Sequence, residues 1–404
     1  MKKDFLLSII IPTKNRESYA IKAVEQILHM NDDRVQIVIQ DNGDTCMMSK
    51  MLFEYNNDER LKYNYTEGII SFVDNFNLAV DLADGEYLCI IGDDDGVVSQ
   101  IIDVVEWAKE NNIDAIKPEL KAVYFWPNSE ALRNKTDNGY LSITKITAKA
   151  RACKPFYEVE KLLNQGAQKY LSLDLVKLYH GIVRKECLDN IKKKTGKYFG
   201  GLSPDIYISV ALSLTVDKVV EVDFPLTISG ICNKSGSADY ATGRHTGKLE
   251  EAPHFHGHNN YEWSELVPRF YSVETIWADS ALAAIKDLDK SEMLKKFNVV
   301  DLAACLLKKY PQFKDIIIQH YNSYSQTTDR SKAKIVVAYL KYPTLDLIKR
   351  VIRRIRRRRD DFFRVNGIEN IIKASEALQL RFLDIGIDTK MIIASLDIVK
   401  KLIH

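Results

Sequence analysis

The chain has 404 residues, of which 46% are hydrophobic and 28% charged, with a formal net charge of +2. Such a composition suits a soluble globular protein of two or three domains and excludes an intrinsically disordered chain. Six scattered cysteines without a C-x-x-C pair argue against a zinc site or a disulfide framework, and no apolar run approaches the length of a membrane span.

The N-terminal stretch reads as a first strand and not as a signal peptide, so a cytoplasmic protein is the expectation. Phe5 to Ile11 is a nearly continuous apolar run ended by Pro12, as in a strand buried on both faces. Pro12 to Arg16 is a polar turn. Tyr19, Ala20, Ala23, Val24, Ile27 and Leu28 recur at helical spacing. Val35 to Ile39 is a second strand, followed by the turn Asp41-Asn42-Gly43-Asp44. A helix falls within 47–60, a strand over Leu61–Tyr65, a helix over 71–84 closed by Asp84-Gly85, and a strand over Glu86–Ile91. Helix Ile101–Glu110 and strand Ile113–Lys117 follow. Alternating strands and helices imply a mostly parallel sheet flanked by helices. Residues 118–170 are less regular, with mixed strand-like and polar pieces, 226–260 read as a flexible loop, and everything beyond 261 reads as helix. The expected division is 1–255 and a helical part over 256–404.

Asp93-Asp94-Asp95 stand between Gly92 and Gly96, directly after the fourth strand. Adjacent carboxylates repel, and burial raises the cost of their charge. A divalent cation with an anionic ligand would relieve both, and hard cations take oxygen ligands. The bland alternative is a solvated acidic turn. Ligands of open α/β sheets bind outside the carboxyl ends of the strands. Pro12–Arg16, Asp41–Thr45 and Gly92–Gly96 each follow a strand, so all three belong on one edge.

Those stretches, Leu7-Ser8-Ile9-Ile10-Ile11-Pro12-Thr13-Lys14-Asn15-Arg16, Ile37-Val38-Ile39-Gln40-Asp41-Asn42-Gly43-Asp44-Thr45 and Asp74-Asn75-Phe76-Asn77 running on to Gly92-Asp93-Asp94-Asp95-Gly96, resemble the family 2 glycosyltransferases of the GT-A fold. The resemblance covers roughly the first 240 residues and implies a Rossmann-like α/β fold, to which the helical pattern beyond 261 adds a C-terminal helical region. It implies an inverting, Mn²⁺- or Mg²⁺-dependent transfer of a hexosyl or N-acetylhexosaminyl group from a nucleotide-diphosphate donor, typically a UDP-sugar. The acceptor would be a hydroxyl of a bacterial surface glycan or its lipid-linked precursor. By the same resemblance Pro12, Thr13, Asn15, Arg16 and Asn75 would line the nucleotide pocket. Asp41 would bond the base, or else close an Asx-turn. Asp93 would approach the ribose or sugar, Asp95 would hold the metal with Asp93, and Asp94 would support either role. Asp205, after Ser203-Pro204 at a helix start, would be the general base, or else merely stabilise the helix N-terminus. The family's Glu-Asp pair is Pro-Asp here. Lys234 or Arg244 could pair with phosphate and His245 could add a metal ligand. His180 could face the acceptor or be a satisfied, partly buried residue. His254, His256 and His258 alternate in a loop where solvent exposure is expected. A non-catalytic glycan-binding or scaffolding protein on the same fold is the other reading. A nucleotidyltransferase or hydride-transfer site would want glycines where Pro12–Arg16 has none.

Residues 349–359 hold eight Lys or Arg among eleven. A solvated helix face, an anionic membrane surface and nucleic acid compete as explanations, in which nucleic acid ranks last because no recognised module accompanies the run. Peripheral attachment at the inner face of the cell membrane through 349–363, with Phe362 and Phe363 inserting, is the favoured expectation. The C-terminal helices could instead mediate homo-oligomerisation.

Overall fold

The computed structural model describes residues 4–127, 129, 138–233, 246–255, 257, 261–328, 334–340 and 362–402. In chain order β1 (Leu7–Thr13), α1 (Glu17–Leu28), β2 (Val35–Asp41), α2 (Met47–Met51), β3 (Leu61–Tyr65), α3 (Phe72–Asp81) and β4 (Tyr87–Ile90) come first. Then follow β5 (Gly96–Val97), α4 (Gln100–Glu110), β6 (Ala115–Pro118), β7 (Ala122–Phe125), β8 (Tyr140–Ile143), β9 (Ala150–Cys153) and α5 (Pro155–Asn164). Next are β10 (Ile182–Arg184), α6 (Lys185–Thr195), α7 (Pro204–Ser213), β11 (Val219–Val222), β12 (Thr227–Ile231), β13 (Thr246–Gly247) and β14 (Tyr271–Ser272). Helices α8 (Val273–Asp287), α9 (Val299–Lys309) and α10 (Lys314–Thr328) precede β15 (Phe363–Asn366), α11 (Ile371–Asp384) and α12 (Thr389–Lys400).

The main sheet has eight strands in the order β3-β2-β1-β4-β10-β6-β11-β9. β1 sits between β2 and β4, parallel to both. Flanked on both sides and covered on both faces, it is buried almost throughout, and that is why its sequence is a continuous apolar run. The turn before β4 crosses β1 closely. A Cβ on Gly85 would lie 2.5 Å from the Ser8 amide, and the Gly85 amide donates to Ser8 Oγ at 2.8 Å. Ser71 caps α3 by accepting from the Asp74 amide, and the helix buries Val73, Phe76, Ala79 and Val80 against the sheet. A second sheet, β15-β8-β7-β12-β5, lies at the carboxyl end of β4, because β5 begins directly beyond the aspartates.

The expected α/β architecture, a large and mostly parallel sheet flanked by helices with more helices towards the C-terminus, is the one found. Several expectations need correction. Residues 118–170 contain β7, β8, β9 and α5, and β12 lies inside the stretch read as flexible loop. The region beyond 261 is not all helix: β14 and β15 are strands, and β15 pairs antiparallel with β8. Phe363 belongs to that strand, opposite Ile143, and its ring lies 4.2 Å from the Arg381 guanidinium carbon.

Residues 362–402 return to the N-terminal half. Ile368, Ile371, Leu378, Phe382, Ile392 and Leu396 share one hydrophobic core with Ala20, Val24, Ile101 and Val105 of α1 and α4. The indole of Trp107 donates to Asp397 at 2.9 Å, and the Tyr124 hydroxyl donates to the Ile368 carbonyl at 3.0 Å. Helices α8 and α9 share the other core, on the opposite side, with α3 and α7. Both cores therefore cross residue 255. The basic run 349–359 lies outside the described residues. Among the described residues no helix is long and apolar enough to cross a membrane.

Phe382 is 2% exposed, its ring centroid 4.5 Å from that of Phe224. Phe382→Ala is expected to cost about 3–5 kcal/mol, read as a lower urea midpoint.

Candidate active site

The carboxyl ends of β1, β2 and β4 form one edge. Thr13 lies in register with Asp41, and its hydroxyl donates to Asp93 Oδ2 at 2.7 Å. The three turns predicted to meet do meet. Asp93, Asp94 and Asp95 are all buried, so the acidic triplet is not a solvated turn.

Each aspartate is compensated differently. Arg16, at the start of α1, places Nη1 2.9 Å from Asp93 Oδ1 and Nη2 2.9 Å from Asp94 Oδ1. The same Nη2 lies 2.9 Å from the Cys232 thiol. Burial lowers the guanidinium's pKa, but Asp93 and Asp94 outweigh it and push the pKa above its ordinary value. Burial raises the pKa of both carboxyls. Arg16 pulls Asp93 back down while Asp94 pushes it up, and Asp95 adds to the rise at Asp94 before Arg16 offsets it.

Asp95 is satisfied without Arg16. Its Oδ2 accepts from the Gly92 amide at 2.6 Å and the Tyr179 hydroxyl at 3.0 Å, with His180 Nε2 at 3.3 Å. Its Oδ1 accepts from the Gly230 amide at 2.6 Å. Asp95, expected to hold a metal with Asp93, thus ties β4, β12 and the segment before β10 together. The less committed oxygens belong to its neighbours. Asp94 Oδ2 is buried without a hydrogen-bond partner among the described residues, and the nearby Cys232 thiol is at best a weak donor.

Of the two readings open for His180, facing the acceptor or being satisfied within the protein, its contacts match the second. The residue is 7% exposed and adopts a left-handed backbone, φ 59°. Its amide bonds the Ile90 carbonyl, and its Nδ1 meets Thr227 Oγ1 at 2.9 Å. Burial lowers its pKa, so the ring is neutral. It can donate from Nε2 to Asp95 and accept at Nδ1 from Thr227, which leaves no ring nitrogen for an acceptor.

Asp41 closes the turn as well as facing the edge. Its Oδ1 accepts from the Gly43 amide at 2.7 Å and its Oδ2 from the Tyr63 hydroxyl at 2.9 Å. Burial raises its pKa and those two bonds offset the rise. Asn15, with φ 55°, exchanges hydrogen bonds with Asp44, and Lys14 reaches Asn42. Pro12 pairs with Gln40 at the end of β1. Asn75 approaches the Thr13 carbonyl at 3.5 Å, and its own Oδ1 is buried without a partner among the described residues. Lys234, Arg244 and His245 lie outside the described residues, as do His256 and His258. His254 is half-buried, its ring centroid 6.0 Å from that of Phe72 and 5.7 Å from that of Tyr271, not solvent-exposed.

Asp205 occupies the first turn of α7, after Pro204. Burial pushes its carboxyl up to about 6, against the pull of Lys177, and Asp95 adds to the rise. Lys177 is moved the other way, down to about 8, by burial and by Lys117. Its ammonium lies 5.4 Å from the Tyr170 ring. Sequence reasoning missed Lys177, Gly230, Trp126 (whose indole donates to the Asp94 carbonyl at 2.9 Å) and Cys232, and did not give Tyr179 its bond to Asp95. Only Tyr179 and Lys177 had a signal, their closeness in sequence to His180.

Among the described residues no three His, Cys, Asp or Glu side chains converge as a metal site. The donor set still suits a hard cation that brings other ligands with it: buried carboxylate oxygens on Asp93 and Asp94, one without a partner.

In open α/β sheets the edge at the carboxyl ends of the strands is where ligands bind, and the acidic triplet lies on that edge. Residues 8–152 match the sequence pattern of glycosyl transferase family 2. The chain is 21% identical over 198 residues to glycosyltransferase GlyG of Streptococcus pneumoniae, covering 48% of this chain and 62% of that protein. It is 32% identical over 100 residues to the GalNAc(5)-diNAcBac-PP-undecaprenol beta-1,3-glucosyltransferase of Campylobacter jejuni, covering 23% of this chain and 31% of that protein. The chain thus spans less than two thirds of these relatives. A crystal structure of S. aureus TarS with UDP aligns at 14% identity, covering 83% of this chain and 89% of that one, with a TM-score of 0.44.

A Cβ on Gly230 would lie 1.9 Å from the Asp94 carbonyl oxygen. Gly230→Ala is expected to cost about 1–3 kcal/mol through overpacking and to weaken nucleotide binding. Thermal unfolding and calorimetry would read the two effects separately.

Proposed function

We propose that the protein is an inverting glycosyltransferase that moves a sugar from a nucleotide-diphosphate donor, in the first instance a UDP-sugar, to a hydroxyl of a bacterial surface glycan or its lipid-linked precursor. The observation that carries the reading is the buried node of Thr13, Arg16, Asp93 and Asp94 at the carboxyl ends of β1 and β4, with Asp205 within electrostatic reach of the adjoining Asp95. The family assignment of residues 8–152 supports it.

The chemistry follows from the groups present. The acceptor hydroxyl attacks the anomeric carbon from the face opposite the diphosphate, and Asp205 takes its proton. A carboxylate whose pKa is near 6 is mostly ionised at neutral pH yet basic enough to accept that proton. Asp93 and Asp94 would hold Mn²⁺ or Mg²⁺, which when bound stabilises the negative charge on the departing diphosphate. Asn75, with its unpaired carbonyl oxygen, and Asp41 would meet the nucleoside. Tyr179, His180 and Gly230 keep Asp95 fixed and, through the chain, fix Asp93 and Asp94.

Asp205→Asn is expected to leave UDP binding intact and to abolish transfer; full activity in that variant would sink the base assignment. In the wild type kcat/KM should rise as pH passes through about 6. The folded-state pKa lies above the usual carboxylate value, so the charged form is disfavoured by folding and its cost appears as pH rises from about 4 to 6. Asp205→Asn should therefore melt above wild type at pH 7, the difference vanishing towards pH 4.

The basic run supports a second element of the proposal, attachment to an anionic membrane surface. Serine in place of Arg353, Arg354, Arg356 and Arg357 is expected to lower binding to anionic liposomes at least tenfold and to leave transfer to a soluble acceptor unchanged. Equal liposome binding would refute the attachment.

A further inference from the structure

The cation at the acidic triplet belongs to the protein itself. Arg16 spans two adjacent carboxylates with one fork, each contact 2.9 Å, and its side chain is only 18% exposed. Among the described residues no lysine and no other arginine is paired with Asp93 or Asp94. The guanidinium therefore sits on one oxygen of each carboxylate that a divalent cation would bridge, and the two positive groups compete for the pair. Arg16 cannot simply withdraw, because its own charge is partly desolvated and its Nε is buried without a partner. It needs another anion. A nucleoside diphosphate supplies one whose oxygens suit the planar fork. Arg16 stands at the start of α1, its backbone neither helical nor extended, and no side chain caps that helix. A swing of the side chain breaks no cap.

We propose that Arg16 is a resident counter-cation, displaced jointly by the donor and the divalent metal. The metal takes the carboxylates, the diphosphate takes the guanidinium, and the metal binds poorly until the nucleotide is present. The proposal rests on the donor and metal readings above, and it adds an order to them: nucleotide and metal enter together, not metal first.

The test is Mn²⁺ binding to the full chain without nucleotide, followed by the electron paramagnetic resonance signal of free Mn²⁺. Wild type is expected to bind weakly. Arg16→Gln, which removes the competing charge, should bind Mn²⁺ at least tenfold more tightly while its affinity for UDP in the presence of Mn²⁺ falls. Mn²⁺ affinity in Arg16→Gln no greater than in wild type would overturn the proposal. If a melting curve shows that Arg16→Gln does not fold, Arg16→Lys decides. Its ammonium keeps the charge but cannot fork across both carboxylates, so Mn²⁺ binding tighter than wild type is expected and equal binding overturns the idea. A separate arm measures UDP on wild type with Mn²⁺. Absence of binding there would overturn the donor reading, whatever the nucleotide-free comparison gives.

Discussion

Three adjacent carboxylates are buried together after β4, and most of the site's architecture is a response to that. An uncompensated buried charge is among the most costly features a fold can carry. The protein spreads the compensation over distant parts of the chain. Arg16 arrives from the loop after β1, Gly230 and Thr227 from β12, and Tyr179 and His180 from the segment joining β4 by a bridge at Ile90. Each approach needs close packing of backbone. Gly92 has the Tyr179 hydroxyl 2.5 Å from where its Cβ would be, and Gly230 has the Asp94 carbonyl still nearer. The two sheets meet here because the acidic loop needs donors from both.

The division of labour within the triplet follows from those donors. Asp95 receives backbone amides, which cannot leave, and so acts as an anchor. Asp93 and Asp94 receive a side chain, which can move. A motif that looks uniform in sequence is thus split into a fixed part and an exchangeable part. The split is visible only when the partners are known.

Much of the N-terminal half was legible. Strands β1 to β4 and helices α1, α3 and α4 follow from hydrophobic period, and the shared edge follows from the rule for parallel sheets. What stayed hidden has physical causes. β5, β7, β8, β9 and β12 are two to five residues long, too short for a period of two to rise above chance. The pairing of Arg16 with Asp93 and Asp94 is long-range, and one sequence does not carry it. His180 looked equally able to face a ligand or be satisfied within the protein; burial and two ring partners decide for the second. β15 looked like part of a helical region because its four residues follow a long basic run, and its partner β8 lies more than two hundred positions earlier.

The return of the chain after β15 has a consequence for how the protein is made. Ile371 occupies the space beside Gly96 where a Cβ would be, its Cγ1 2.7 Å away. Gln26 bonds both Val97 and Ser375, the second across 349 positions of sequence. The wall behind the acidic loop is therefore built from residues a ribosome synthesises long after the loop itself. During translation the triplet emerges with its charges exposed to water, where three carboxylates are no burden. Only when α11 is made can Ile371 and Ser375 pack behind Gly96 and Val97. Closing the wall behind Gly96 and Val97 is thus a late step of biosynthesis, and a chain stopped before residue 371 would carry the whole 8–152 segment without it.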